Sequence, residues 1–173
     1  MKNKFTKVII IFLNLAIISM PIFAQVEKSD NPSQDILIKS EVETAVSLLQ
    51  AIFEKHTSGE MSLEKAKKLG ADLLRELHYG TDGYFWADTE EGVNIVLYGR
   101  KDVEGKNRFE AQDEKGIFYV KNFIKTGQDG GGYVDYWFTK KGATKEEAKR
   151  SYVFLFKPFG WVVGSGYYLI AME

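Results

Sequence analysis

The chain has 173 residues, 45% of them hydrophobic, with 23 basic and 24 acidic side chains and a formal net charge of −1. This length suits one domain with its own hydrophobic core. The charge balance argues against nucleic acid as the main partner. The absence of cysteine excludes disulfide bonds and lipid anchoring through a cysteine.

Residues 1–24 have the features of a signal peptide. Lysines occupy the start, an apolar run follows over residues 8–18, and Ala24 is a small residue at the expected cleavage position. The run is short compared with the about 20 residues of a membrane-spanning helix. We therefore expect cleavage and export to the periplasm or the cell exterior, with an uncleaved N-terminal anchor as the alternative. Residues 25–33 are predicted to form a linker and residues 34–173 a single domain.

Two amphipathic helices are predicted at the start of this domain. Apolar residues recur at helical spacing over residues 38–56, and Gly59 interrupts the pattern. Ser62 is a typical N-cap, and a second apolar stripe runs from Leu63 to Leu77. The first helix is long for a domain of this size.

The hydrophobic period changes from helical to alternating after Tyr79. Alternation predicts five strands, at residues 83–88, 93–98, 132–138, 151–156 and 161–168. Residues 100–126 form a long crossover between the second and third strands, with helical spacing over residues 116–125. Residues 144–147 (Thr-Lys-Glu-Glu) match a capping box, which predicts a short helical turn before the fourth strand.

These elements predict an α+β fold in which a long N-terminal helix and a second helix pack on a five-stranded antiparallel sheet. Alternation places Tyr84 and Trp86 on one face of the first strand and Tyr152 on the aromatic face of the fourth. We expect these aromatic faces to line the side away from the long helix. The aliphatic residues, and Gly164 with Gly166, are expected to face that helix. Aromatic walls of this kind are typical of small-ligand pockets, and equally of a filled core.

Motifs for catalysis, metal binding or cofactor binding are not found in the sequence. His56 and His78 are the only histidines, and they lie on separate segments, so neither helix offers a paired-histidine metal face. The Gly164-Ser165-Gly166 segment ends a strand with no helix after it, unlike a dinucleotide-binding loop. We therefore predict that the protein is not an enzyme and has no cofactor or metal.

Two blocks stand out, residues 78–88 (HYGTDGYFWAD) and residues 151–168 (SYVFLFKPFGWVVGSGYY), with shorter ones at residues 104–107 (EGKN) and 132–136 (GYVDY). Taken together in chain order, these four blocks resemble the single Cache domain of bacterial chemoreceptors, an extracytoplasmic small-molecule sensor with a PAS-like fold. The resemblance implies binding of a short organic acid in one pocket, in a stand-alone exported module that signals to a membrane receptor or kinase, for example in chemotaxis. The candidate ligand-binding residues are Tyr84, Trp86, Tyr98, Arg100, Lys106, Tyr136 and Tyr152.

Two positions depart from the family pattern. His78 stands where relatives usually have arginine, and Tyr98-Gly99 where they commonly have His-Pro, so the identity of the ligand cannot be transferred. An alternative function is an interaction module that binds no ligand and pairs through the long N-terminal helix, which also makes a homodimer a candidate assembly.

Overall fold

The computed structural model describes residues 31–169, so the predicted signal peptide lies outside the described part. Helix α1 (Pro32–Thr57) begins inside the predicted linker and is capped by the side chain of Asn31. Helix α2 (Leu63–Glu76) is capped by Ser62, as predicted. Among the helices of residues 31–169, none is both long and apolar enough to cross a membrane.

Five strands form an antiparallel sheet, which confirms the predicted α+β fold. Before it, β1 (His78–Tyr79) and β2 (Gly83–Tyr84) form a small separate pair. The strands of the sheet are β3 (Trp86–Thr89), β4 (Asn94–Leu97), β5 (Gly132–Thr139), β6 (Glu146–Phe156) and β7 (Trp161–Tyr168). Their order across the sheet is β4-β3-β7-β6-β5. Helix α3 (Tyr119–Gln128) lies in the crossover, where the helical spacing predicted it.

The predicted helical turn at residues 144–147 is wrong. Strand β6 begins at Glu146, which pairs with Thr139, and Glu147 pairs with Phe138. The backbone groups that a helix would need are therefore bonded across the β5–β6 hairpin. As a result β6 is longer than predicted, and it includes Lys149 and Arg150.

Helices cover the sheet on both sides. One side packs against α1 and α2 through residues that include Leu49, Ala66, Leu74, Phe85, Trp161 and Val163. The other side packs against α3 through residues that include Val120, Phe123, Trp86, Val153 and Val162. We call these two sides the α1 face and the α3 face.

The predicted faces are right for the first strand and wrong for the fourth. Tyr84 and Trp86 belong to the α3 face, away from the long helix. Tyr152 packs instead against α1, beside Ile38 and Val42. The prediction that Gly164 and Gly166 face the long helix is also wrong: Gly164 pairs with Trp86 on the α3 face, and Gly166 shares that face by alternation. Alternation shows which residues of a strand share a face. Which of the two faces they occupy depends on the pairing register with neighbouring strands, which one strand's sequence does not reveal.

Candidate ligand-binding site

A small cavity lies between α3 and the α3 face of the sheet, and we call it the α3 cavity. Its wall consists of Tyr84, Trp86, Leu97, Arg108, Tyr119, Phe123, Tyr136, Phe138 and Lys149. The free space inside is about 10 Å³, close to the minimum that holds one water molecule. A carboxylate of a few carbon atoms can therefore occupy it only if side chains of the wall move.

Lys149 places a buried cation in this cavity. Its side chain is 1% exposed, and its Nζ donates a hydrogen bond to Tyr84 Oη at 2.7 Å. Within residues 31–169 the ammonium has no ion-pair partner. Burying an ammonium without a counter-charge is costly. The cavity therefore offers a strong interaction to an anion.

Aromatic rings surround the Lys149 ammonium. Nζ lies 4.5 Å from the ring centroid of Tyr84, 4.9 Å from that of Tyr168, 5.2 Å from that of Trp86 and 5.4 Å from that of Phe138. Cation–π attraction offsets part of the desolvation cost. An ammonium carries three donors, and the bond to Tyr84 uses one of them.

Arg108 also lines the cavity, but an acid already neutralises its charge. Its Nη2 donates to both carboxylate oxygens of Asp88 at 2.8 Å, and both side chains are buried. Asn94 Nδ2 donates to the same carboxylate at 2.9 Å. Because the charges of Arg108 and Asp88 cancel, Lys149 contributes the unbalanced charge of the site.

Neutral polar groups complete the site. The hydroxyls of Tyr136 and Ser151 form a buried hydrogen bond of 3.1 Å. Burial raises the pKa of Tyr136 well above its ordinary value and also raises the pKa of Tyr119, so both phenols stay neutral donors at neutral pH. Trp86 Nε1 is buried without a hydrogen-bond partner in the described part of the chain.

The structure brings three of the predicted site residues together, since Tyr84, Trp86 and Tyr136 all line the cavity. Tyr98 lies just outside it, with its ring 5.6 Å from that of Tyr84 and 4.4 Å from that of His78. It borders the wall without forming part of it.

The other three predicted residues lie away from the cavity. Arg100 is exposed and pairs with Asp102 at 3.1 Å, Lys106 is exposed, and Tyr152 lies on the α1 face. The buried cation of the α3 cavity without an ion-pair partner in residues 31–169 is Lys149. Side chains alternate along a strand, so Lys149, two residues before Ser151, lies on the α3 face. The sequence prediction missed this because it placed a helical turn at residues 144–147 and began the strand only at residue 151.

A larger groove, of about 470 Å³, shares Tyr84 with the wall of the α3 cavity. It runs between the first turn of α1, the β1–β2 pair and the end of β7. Its lysine, Lys140, pairs with Glu147 at 2.6 Å. The groove therefore lacks the unbalanced buried charge of the α3 cavity. Within the described residues, no group of three or more potential metal ligands is present either.

Comparison with known proteins finds relatives among bacterial sensors. The family model described as Single Cache domain 2 matches residues 33–171. The chain is 30% identical to the methyl-accepting chemotaxis protein McpP of Pseudomonas putida over 130 residues, 74% of this chain and 24% of McpP. It is 34% identical to the sensor histidine kinase MctS of Rhizobium johnstonii over 125 residues, 72% of this chain and 26% of MctS. The chain thus spans about a quarter of the length of these relatives.

Solved structures with the same architecture are also sensor domains. A periplasmic sensor domain of a chemotaxis protein has a TM-score of 0.78 and 29% identity, over 80% of this chain and 97% of that domain. A Cache chemosensory domain described for its carboxylic acid recognition has a TM-score of 0.77 and 28% identity, over 80% of this chain and 95% of that domain. By its sequence and its fold, the chain belongs to the Single Cache domain 2 family of sensor domains.

Proposed function

We propose that the chain is an exported sensor domain that binds a short monocarboxylate in the α3 cavity. One observation carries this proposal: the buried Lys149 ammonium has no ion-pair partner in residues 31–169. A carboxylate against Nζ supplies the counter-charge and accepts charge-assisted hydrogen bonds. The similarity to a Cache domain described for carboxylic acid recognition supports the same ligand class.

The wall of the cavity favours one negative charge and a short apolar tail. Because Asp88 neutralises Arg108, a single cation is available, and it matches one carboxylate group rather than two. Trp86, Leu97 and Phe123 offer apolar surface to an alkyl chain. The small free volume excludes long chains unless several aromatic side chains move.

The signal is proposed to reach a membrane receptor or kinase. The relatives are a chemotaxis protein and a sensor histidine kinase, which supports a role in signal transduction or chemotaxis. The predicted signal peptide supports export to the same side of the membrane as a periplasmic sensor domain.

Calorimetric titration of the full chain with sodium acetate, propionate and succinate tests the ligand. We expect propionate or acetate to bind and succinate to bind more weakly. Lys149→Met removes the ammonium and keeps an unbranched side chain, and we expect it to weaken binding about tenfold to a hundredfold, because a hydrogen bond to a charged group contributes roughly 1.5–3 kcal/mol.

Lys157→Met is the matched control, since Lys157 is exposed in the β6–β7 turn. Thermal melts of both variants check that each is folded. The proposal fails if the wild-type chain binds neither monocarboxylate, or if folded Lys149→Met binds with wild-type affinity.

A further inference from the structure

Two adjacent rows of residues cross β5, β6 and β7, and they lie on opposite faces of the sheet. In the first row Tyr136, Lys149 and Tyr168 are cross-strand partners. Tyr136 and Lys149 line the α3 cavity, and the ring of Tyr168 lies 4.9 Å from Lys149 Nζ. The next row, one residue along each strand, points to the α1 face because successive side chains of a strand alternate.

The second row holds the first turn of α1 on the sheet. Asp135, Arg150 and Tyr167 are cross-strand partners. Arg150 Nη1 donates to both oxygens of Asp135 at 2.7 and 2.8 Å, and its Nε donates to Asp35 Oδ1 at 2.9 Å. Tyr167 Oη donates to the same Asp35 oxygen at 3.0 Å. We call Asp35, Asp135, Arg150 and Tyr167 the α1 latch.

The first turn of α1 is held on the sheet by polar contacts more than by buried apolar side chains. Asp35 is the residue that the latch holds, and Tyr133 Oη also donates to its backbone carbonyl at 2.9 Å. The neighbouring apolar residues Ile36 and Leu37 are 66% and 40% exposed, so Ile38 is the first fully buried side chain of the helix. A helix end with few buried apolar contacts opens at low cost in free energy.

We infer that the α1 latch couples occupancy of the α3 cavity to the docking of the first turn of α1. This inference rests on the proposed function. Lys149 and Arg150 are consecutive, so a ligand that changes the partner of the Lys149 ammonium shifts the backbone that positions Arg150. Coupling requires an element with two arrangements. The first turn is docked in the structure, and opening of the α1 latch is inferred to give the second, detached arrangement. Ligand that orders the first row stabilises the docked arrangement.

The chain contains no cysteine, so a nitroxide label at one introduced cysteine reports on this turn. Ile36→Cys places the label on the exposed side of the first turn, and Ser47→Cys places a control label in the middle of α1. Electron paramagnetic resonance of the full chain is recorded with and without sodium propionate. We expect propionate to lower label mobility at residue 36 and to leave the label at residue 47 unchanged.

Asp35→Asn removes the charge that Arg150 and Tyr167 hold, with little change in size. Combined with Ile36→Cys, it is expected to leave the label mobile with or without propionate. Because coupling is reciprocal, calorimetry should also show weaker propionate affinity, by about threefold to tenfold. Asp102→Asn, in an exposed pair with Arg100, is the matched control and should behave like the wild type.

The coupling is overturned if propionate binds the wild-type chain and the label at residue 36 does not respond, or if Asp35→Asn responds as the wild type does. If calorimetry detects no monocarboxylate binding to the wild-type chain, the proposed function fails and the coupling fails with it. Calorimetry and resonance spectra therefore distinguish the two failures.

Discussion

The indole ring of Trp86 lies directly over Gly164, its cross-strand partner in β7. A Cβ atom at residue 164 would overlap with the six-membered ring of the indole. Residue 164 must therefore be glycine for the Trp86 ring to pack against the sheet at this position. Trp86 is 2% exposed and forms part of the cavity wall. The size of residue 164 therefore sets the position of Trp86 and with it the shape of the α3 cavity.

Gly164→Ala is expected to push Trp86 toward α3 and to lower the free energy of unfolding by about 1–3 kcal/mol, the usual cost of overpacking a core. Urea denaturation measures this change, and calorimetry should show weaker monocarboxylate binding in the folded variant. Gly127→Ala is the comparison variant: a Cβ there would lie 3.3 Å from Val162, a tight contact but not an overlap, so it should cost less stability than Gly164→Ala. Equal stabilities of Gly164→Ala and the wild type would contradict the proposed overlap.

The buried pair of Arg108 and Asp88 predicts a non-additive pair of substitutions. Arg108→Met leaves the Asp88 carboxylate buried without its cation, and we expect a loss of about 3–5 kcal/mol. Adding Asp88→Asn removes the unpaired charge, so the double variant should be more stable than Arg108→Met alone. Urea denaturation of the wild type, Arg108→Met, Asp88→Asn and the double variant forms a complete double-mutant cycle. A double variant no more stable than Arg108→Met would show that the pair is not the source of the loss.

Buried phenols predict a loss of stability in alkaline solution. Burial raises the pKa of Tyr136, Tyr119 and Tyr79 in the folded state. The folded protein thus keeps protons that the unfolded chain loses above about pH 10. The free energy of unfolding keeps its full value below that pH. Above it, the free energy of unfolding declines by about 1.4 kcal/mol per pH unit for each proton that the folded state keeps and the unfolded state loses.

Urea denaturation across this range measures the slope. Tyr136→Phe lowers stability at neutral pH because the hydrogen bond to Ser151 is lost, but it should reduce the alkaline slope. Identical slopes in the variant and the wild type would show that Tyr136 ionises equally in both states.

Tyr152→Phe and Arg100→Gln distinguish the site proposed in the α3 cavity from the residues that the sequence predicted. Tyr152 lies on the α1 face and Arg100 is exposed beside Asp102, so neither touches the α3 cavity. We expect calorimetry to show monocarboxylate affinities within about twofold of the wild type for both. A loss of about tenfold in either variant would place the ligand elsewhere.

Local signals in the sequence were sufficient for the helices and for most of the sheet. Ser62 accepts a hydrogen bond from the Lys65 amide, so the N-cap predicted for α2 acts as predicted. Alternation also predicted that Tyr84 and Trp86 share one face of the sheet, as they do. These features depend on residues close together in the chain, which is why sequence patterns reveal them.

The parts that sequence did not reveal depend on pairing between distant strands. The capping-box match at residues 144–147 failed because the hairpin pairs Glu146 with Thr139. The predicted fourth strand begins at residue 151, five residues after the start of β6, and therefore omits Lys149. The face of Tyr152 depends on cross-strand register, which the alternation of one strand does not contain. Arg108 was missed because its pairing with Asp88, twenty residues away, is visible only in three dimensions.

The narrowness of the α3 cavity has a kinetic consequence. Free space of about 10 Å³ means that the proposed monocarboxylate cannot bind by collision with the surface alone, because aromatic side chains of the cavity wall must move first. The observed association rate should then rise with ligand concentration only until it reaches the rate of that opening, and level off above it. A sensor built in this way averages its surroundings over the opening time, so that concentration changes faster than the opening pass unrecorded.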